Sequence, residues 1–433
     1  MTNSREPDGD MRSPRPLISV VMANYRGEAY LEQAVMSVLQ QSVSDLELII
    51  SDDASPDRSV EIARGLMAKD GRIRVLTSDT NQGPARARNN ALAVARGQWI
   101  AVVDSDDLLH PNRFERLLAA AEYYDAAIVA DDLLHFEDSD STAVSYLLNG
   151  QKFAKPFLIT AQNFLGGRDQ DIPPFGYLKP MFRSAILKGV RYDEALKIGE
   201  DYELVLRLLL EGATYVVVPE PFYLYRRHPN SISYRLSEAA VRAMIASQKK
   251  LRSKYGPFDD DVAKAFDGQM VSLSRALAFE QLVAALKAKR LLAAGILCIK
   301  QPRLIDALLG VVRDRISRSS GPREEQSSEA QTAVTILFAD EQTEPFQMAE
   351  AKSFAEQHSS QLIVEKAPRL KKPAEAWAES QEQQKERWKR LAAFGNKNIV
   401  ALLYSGPAGQ FDSGFIPAPG KRRRLQNIEI WQP

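Results

Sequence analysis

Three carboxylates, Asp104, Asp106 and Asp107, stand within four residues, directly after the apolar run Trp99–Val103. Negative charges packed that closely repel one another unless a cation lies between them. Hard oxygen ligands suit Mg²⁺ or Mn²⁺. A divalent ion held there would also bind a diphosphate and neutralise the charge that grows on it as it leaves. The plainer alternative is a solvated acidic loop, or a cap for a helix beginning at Pro111. Placement after a buried strand favours the metal.

A second acidic pair, Asp52-Asp53, follows the apolar run Leu46–Ile50. A carboxylate there can accept hydrogen bonds from a nucleobase imide or from ribose hydroxyls. It can equally close an Asx turn, because Ser55 and Asp57 are also good caps. Arg86 and Arg88 follow Asn81-Gln82-Gly83-Pro84 at the start of an expected helix, where guanidinium groups suit a base or phosphate, or simply face solvent. Glu200-Asp201 opens the apolar helix Tyr202–Leu210. A helix cap is the first reading of those two residues. A general base that takes a proton from an acceptor hydroxyl is the second. Arg226, Arg227 and His228 follow Tyr223-Leu224-Tyr225 and could hold a diphosphate or form a basic surface turn. His110, His135 and His358 show no metal-ligand spacing.

These residues need a frame. Leu17–Ala23, Leu46–Ile50, Ile73–Leu76, Trp99–Val103 and Ala127–Ala130 are short apolar runs that read as strands. Helices are expected between them, over Glu28–Gln41, Asp57–Lys69, Ala85–Ala95 and Pro111–Ala121. Alternating strands and helices imply a mostly parallel sheet covered on both faces. Such sheets bind ligands at the carboxyl ends of their strands, where both acidic clusters fall. A further helix is expected over Asp201–Glu211, ending at Gly212, and a strand over Thr214–Val218. The organisation expected is a disordered tail over 1–15, an α/β domain over 16–236, a helical region over 237–316, a linker over 317–331 and a small α/β or irregular appendage over 332–433.

Composition narrows the class. Lys plus Arg equals Asp plus Glu at 56 each, which argues against a nucleic-acid partner for the whole chain. The single cysteine, Cys298, can form no intramolecular disulfide and lies in the apolar run Leu291–Ile299, as a buried thiol would. The polar first fifteen residues lack the apolar core of a signal peptide, and no run is long enough to cross a membrane. A cytoplasmic protein, peripheral on the inner face of the membrane if its substrate is lipid-borne, is expected. Residues 282–316 mix apolar side chains with Lys287, Lys289, Arg290, Lys300, Arg303, Arg313 and Arg315. Such a stretch suits peripheral contact with an anionic membrane, or is a packing domain with a solvated basic face.

Taken together, Ile18–Tyr25 (ISVVMANY), Leu46–Pro56 (LELIISDDASP), Asn81–Asn90 (NQGPARARNN), Gly97–Asp107 (GQWIAVVDSDD) and Ile198–Asp201 (IGED) resemble glycosyltransferase family 2, the inverting enzymes of GT-A fold. The likeness covers roughly Pro16 to Ser233, and bacterial polysaccharide-building members are the nearest in kind. It implies a Rossmann-like, mostly parallel α/β sheet flanked by helices. It also implies a nucleotide-sugar donor of uridine type and a glycan or lipid-linked acceptor. Asp53 would contact the base, with Asp52 beside it and Arg88 on the same side; Ala23 and Tyr25 would line the pocket. Asp104-Ser105-Asp106 resembles the family's DXD element, with Asp106 or Asp107 as the direct ligand of Mn²⁺ or Mg²⁺. Asp201 matches the catalytic base, and Arg227 and His228 lie where relatives carry a segment that covers the diphosphate. Many relatives have Gly where Ala54 stands. A nucleotidyltransferase and a non-catalytic nucleotide-sugar sensor are the alternatives. The loop Ala23-Asn24-Tyr25-Arg26-Gly27 fits the former poorly.

Overall fold

The computed structural model describes residues 15–137, 145–148, 153, 155–166, 173–228, 236–301, 304–305, 333–339, 360–366, 399–404 and 429–431. The expected tail apart from Arg15, the linker over 317–331, and Arg303, Arg313, Arg315 and His358 lie outside these residues.

The first half alternates as its sequence pattern requires. Strand β1 (Ile18–Asn24) leads to helix α1 (Leu31–Leu39), then β2 (Leu46–Asp52), α2 (Ser59–Met67), β3 (Ile73–Thr77), α3 (Pro84–Val94) and β4 (Trp99–Val102). β1 pairs in parallel with β2 on one side and β4 on the other, and β2 pairs in parallel with β3. Ile18, Val20, Val21 and Met22 are fully buried, which is why β1 reads as one continuous apolar run. In α1, Leu31, Ala34, Val35 and Val38 fall at helical spacing and are all fully buried.

The second half is mixed. It runs through β5 (Leu108–Leu109), α4 (Arg113–Tyr123), β6 (Ile128–Glu137), β7 (Ser145–Tyr146), β8 (Phe157–Ile159), α5 (Ala161–Leu165), β9 (Met181–Arg183), α6 (Glu200–Leu210) and β10 (Tyr215–Arg227). The sheet order is β3-β2-β1-β4-β9-β6-β10-β5, with β7 on β6 and β8 on β10. β9 lies antiparallel between β4 and β6, so it joins the two halves.

β10 runs far beyond the Thr214–Val218 expected. Pro219 and Pro221 lie in this stretch, and proline cannot donate to a ladder. The strand absorbs them in a register shift between Val218 and Tyr223 and then resumes pairing with β6. That continuation carries Tyr223 and Arg226 to the site.

Among the described residues, helices α7 (Glu238–Tyr255), α8 (Asp260–Lys287) and α9 (Leu291–Lys300) follow. Strands β11 (Ala333–Ala339), β12 (Ser360–Lys366), β13 (Ile399–Tyr404) and β14 (Glu429–Trp431) form a separate parallel sheet in the order β12-β11-β13-β14. No helix among the described residues is long and apolar enough to cross a membrane.

Candidate active site

The loop after β4 brings oxygens of Asp104, Asp106 and Asp107 within 4.8 Å of one another. Its shape is imposed from β10. Tyr223 Oη accepts from the Asp104 N–H at 3.1 Å and donates to Asp107 Oδ2 at 2.7 Å. The Arg226 N–H donates to Asp107 Oδ1 at 2.7 Å, and Arg226 Nε donates to the Asp106 carbonyl at 2.7 Å. Arg226 is buried, faces the rings of Tyr30 and Phe136, and donates to Gln33 Oε1 at 2.8 Å.

The acids therefore differ in availability. Asp107 is 1% exposed, and both its oxygens are engaged. Burial, then the charges of Asp106 and Asp104, push its carboxyl well above the usual range. The side chain of Asp106 is 32% exposed and meets His228 Nε2 at 2.9 Å. His228 in turn lies against Tyr30, with ring centroids 4.8 Å apart.

Asp104 faces the other way, toward α3 and α6. Arg88 Nη2 donates to it at 2.8 Å and Lys179 Nζ at 2.6 Å. Burial would raise the Asp104 carboxyl, but these two cations hold it below its ordinary value. Arg88 also reaches Glu200 at 2.5 Å and Asp201 at 3.6 Å, and Lys179 lies 3.5 Å from Asp201. Burial and the neighbouring Asp201 charge raise the Glu200 carboxyl, against the pull of Arg88. Gly199 places both acids on the first turn of α6 through a left-handed φ of 85°, a conformation that costs glycine little. Lys179 is anchored from behind, because the buried Arg113 pairs with Asp131 at 2.8 Å and also donates to the Lys179 carbonyl.

The Asp52-Asp53 pair organises the neighbouring strand ends. Asp52 Oδ2 accepts from Asn24 Nδ2 at 2.6 Å and from Ser55 Oγ at 2.7 Å, and its Oδ1 accepts the Ser55 N–H at 2.8 Å. Asp53 is 2% exposed and accepts the N–H groups of Gln82, at 2.9 Å, and Gly83, at 2.6 Å. It thus fixes the Gln82-Gly83 turn from which α3, the carrier of Arg88, starts. Ala23 is half-buried, while Tyr25 stands exposed beyond β1. The left-handed φ of 59° at Ala54 explains why a glycine suits this turn, since Cβ makes that conformation costly.

Arg227 and His228 part company. His228 joins Asp106, whereas strand alternation sends Arg227 to the other side, where Nη2 meets His135 Nδ1 at 2.8 Å. Sequence reasoning passed over Lys179, which follows an irregular Pro-rich stretch, and gave Tyr223 no role. The buried Asn24 side chain was missed as well. Its one local signal is the register Asn24↔Asp52 that parallel pairing of two consecutive strands produces.

The chain is similar to several known proteins. The family model for glycosyl transferase family 2 matches residues 19–183, a stretch that includes the acidic loop after β4 but ends before Asp201. The chain is 31% identical to succinoglycan biosynthesis protein ExoO of Rhizobium meliloti over 309 residues, which cover 70% of this chain and 87% of that protein. It is 31% identical to glycosyltransferase GlyG of Streptococcus pneumoniae over 221 residues, 50% of this chain and 72% of that one. The crystal structure of S. aureus TarS 1-349 in complex with UDP-GlcNAc aligns over 66% of this chain and 92% of that one, with 17% identity and a TM-score of 0.48.

Proposed function

Because the chain belongs to glycosyltransferase family 2 and is related to polysaccharide-building enzymes, we propose that it moves a sugar from a uridine-diphosphate donor to a glycan or lipid-linked hydroxyl, with inversion. The observation that carries this reading is the shared pair of cations, Arg88 and Lys179, that ties Asp201 to the acidic loop.

In this reading Asp201 is the general base. It takes the proton from the acceptor hydroxyl as the acceptor oxygen bonds to the anomeric carbon. The bond from that carbon to the diphosphate breaks on the opposite face, so one displacement inverts the configuration. The nucleotide lies over the ends of β1 and β2. Tyr25, Ala23, Asp52 and Asp53 line that end, and Asp53 keeps lone pairs beyond those given to Gln82 and Gly83.

The acidic loop fits a hard divalent ion, given three carboxylates within 4.8 Å and a partly exposed Asp106. Asp106 would hold Mn²⁺ or Mg²⁺, with His228 and Asp104 adjacent. When bound, such an ion supplies neutralisation of the departing diphosphate. Asp107 instead fixes the loop through Tyr223 and Arg226. In this reading His228, beside Asp106, covers the diphosphate, and Arg227, held on His135, supports the strand end behind it.

The test is nucleotide release from a panel of nucleotide-sugars with candidate acceptors, followed by assignment of the product anomer. Asp201→Asn should lose about 10²–10⁴-fold in transfer while still binding the donor. Full transfer by that variant, or a product of retained configuration, removes the proposal.

A further inference from the structure

The strongest apolar exposure outside the site lies on α9. Ala294 is buried there, and Leu297 and Cys298 pack with it against Ala278, Leu282 and Leu286 of α8. At about 100° per residue these three side chains occupy one side of the helix. The other side carries Leu291, Leu292, Ile296 and Ile299, spread over an arc of about 140°. They are 72%, 86%, 54% and 81% exposed, and Ile305 beyond the helix is 45% exposed. A contiguous patch of this kind on a water-soluble surface marks a contact with something apolar.

Charge identifies the occupant. From Gln281 to Ile305 the chain has no Asp or Glu and carries Lys287, Lys289, Arg290, Lys300 and Arg303. Lys287, Lys289, Arg290 and Lys300 are all exposed, at the two ends of the apolar face. A helix with a solvated basic face would instead place those cations opposite its packed side, where the leucines and isoleucines stand. Cations flanking an exposed aliphatic face suit an apolar layer bordered by negative charge. α9 has ten residues and cannot span a bilayer.

We propose that α9 lies flat on an anionic lipid surface, with Leu291, Leu292, Ile296 and Ile299 inserted among the acyl chains. Lys287, Lys289, Arg290 and Lys300 then sit among the lipid phosphates. The enzyme works at the surface of the bilayer while its catalytic sheet stays in water.

Vesicle flotation of the full chain tests this. The wild type should float with phosphatidylglycerol-containing vesicles, float poorly with pure phosphatidylcholine, and lose binding as salt rises. The double variant Leu292→Asp/Ile299→Asp should bind at least about tenfold more weakly. Lys287→Gln, Lys289→Gln and Arg290→Gln should each weaken binding about fivefold. All of these residues are exposed and distant in sequence from the catalytic groups, so nucleotide release with a soluble acceptor should be unchanged. That readout separates failure of this proposal from failure of the transferase reading. A wild type that does not float, or a double variant that floats equally well, overturns the proposal. So does a wild-type dimer that the double variant splits without any vesicle binding, which would assign the face to a second copy of the chain.

Discussion

Asp104 and Asp201 are held by the same two cations: Arg88 stands 2.8 Å from the first and 3.6 Å from the second, and Lys179 stands 2.6 Å and 3.5 Å from them. The loop after β4 and the first turn of α6 are thereby locked together, although they belong to different halves of the sheet. A base and a leaving-group site must keep a fixed separation for in-line displacement, and misplacement by about 1 Å can cost about 10²-fold.

Lys179 tests that coupling. Lys179→Met keeps the length of the side chain and removes its charge. Transfer kcat should fall about 10²-fold, with a much smaller change in donor KM, because the variant loosens Asp201 more than it alters the nucleotide pocket. Lys179→Arg, which keeps the charge, should recover part of kcat. Equal losses in both variants, or a rise in KM with kcat unchanged, would show that Lys179 binds substrate or merely supports the fold.

The acidic loop makes a second prediction. Asp106→Asn should remove stimulation by Mn²⁺ or Mg²⁺ with little change in melting temperature, because its side chain is partly exposed. Asp107→Asn should chiefly destabilise, since it weakens buried bonds to Tyr223 and Arg226 that are worth about 1–3 kcal/mol. Chelator should stop the wild-type reaction and added Mn²⁺ should restore it. Metal titrations and thermal melts of both variants would check the division of labour, and the reverse pattern would reassign the ligand to Asp107.

Asp53 carries structural weight as well as its proposed contact with the base. Asp53→Ala leaves the N–H groups of Gln82 and Gly83 without their acceptor and should cost about 1–3 kcal/mol without any donor present. Denaturant unfolding of the free protein measures that loss. An unchanged midpoint would mean that water replaces the carboxylate and that the residue serves the ligand alone.

What sequence reveals here follows the range of the interaction. Strands β1, β2 and β4 were legible because burial on both faces writes a mostly apolar run, and Asp104 was legible because it sits at the end of one. Asp201 was legible only by resemblance, since any carboxylate at a helix start reads first as a cap. Lys179 had no local signature. Its role comes from β9, three residues long, inserted antiparallel between β4 and β6, and from Arg113 holding its carbonyl. The end of β10 was hidden by Pro219 and Pro221, whose missing N–H groups matter only where the ladder is intact.

Asp132 offers a test on the fold itself, away from the acidic loop. Its side chain is fully buried in the middle of β6; Oδ1 accepts the N–H groups of Leu133 and Leu148, and among the described residues Oδ2 has no partner. Burial pushes this carboxyl up to about 7, well above its value in an unfolded chain. The folded protein therefore holds a proton that the unfolded chain has already released. Stability from this group is complete below about pH 4 and is lost as pH rises through about 7, a change of roughly 4 kcal/mol in total. Asp132→Asn keeps the Oδ1 acceptor and cannot ionise. The difference in unfolding free energy, variant minus wild type, should thus climb between about pH 4 and 7 and level off above. Urea unfolding of both proteins across that range measures it. Parallel profiles would mean that Asp132 is already charged in the folded state and that Oδ2 has found a counter-ion or water.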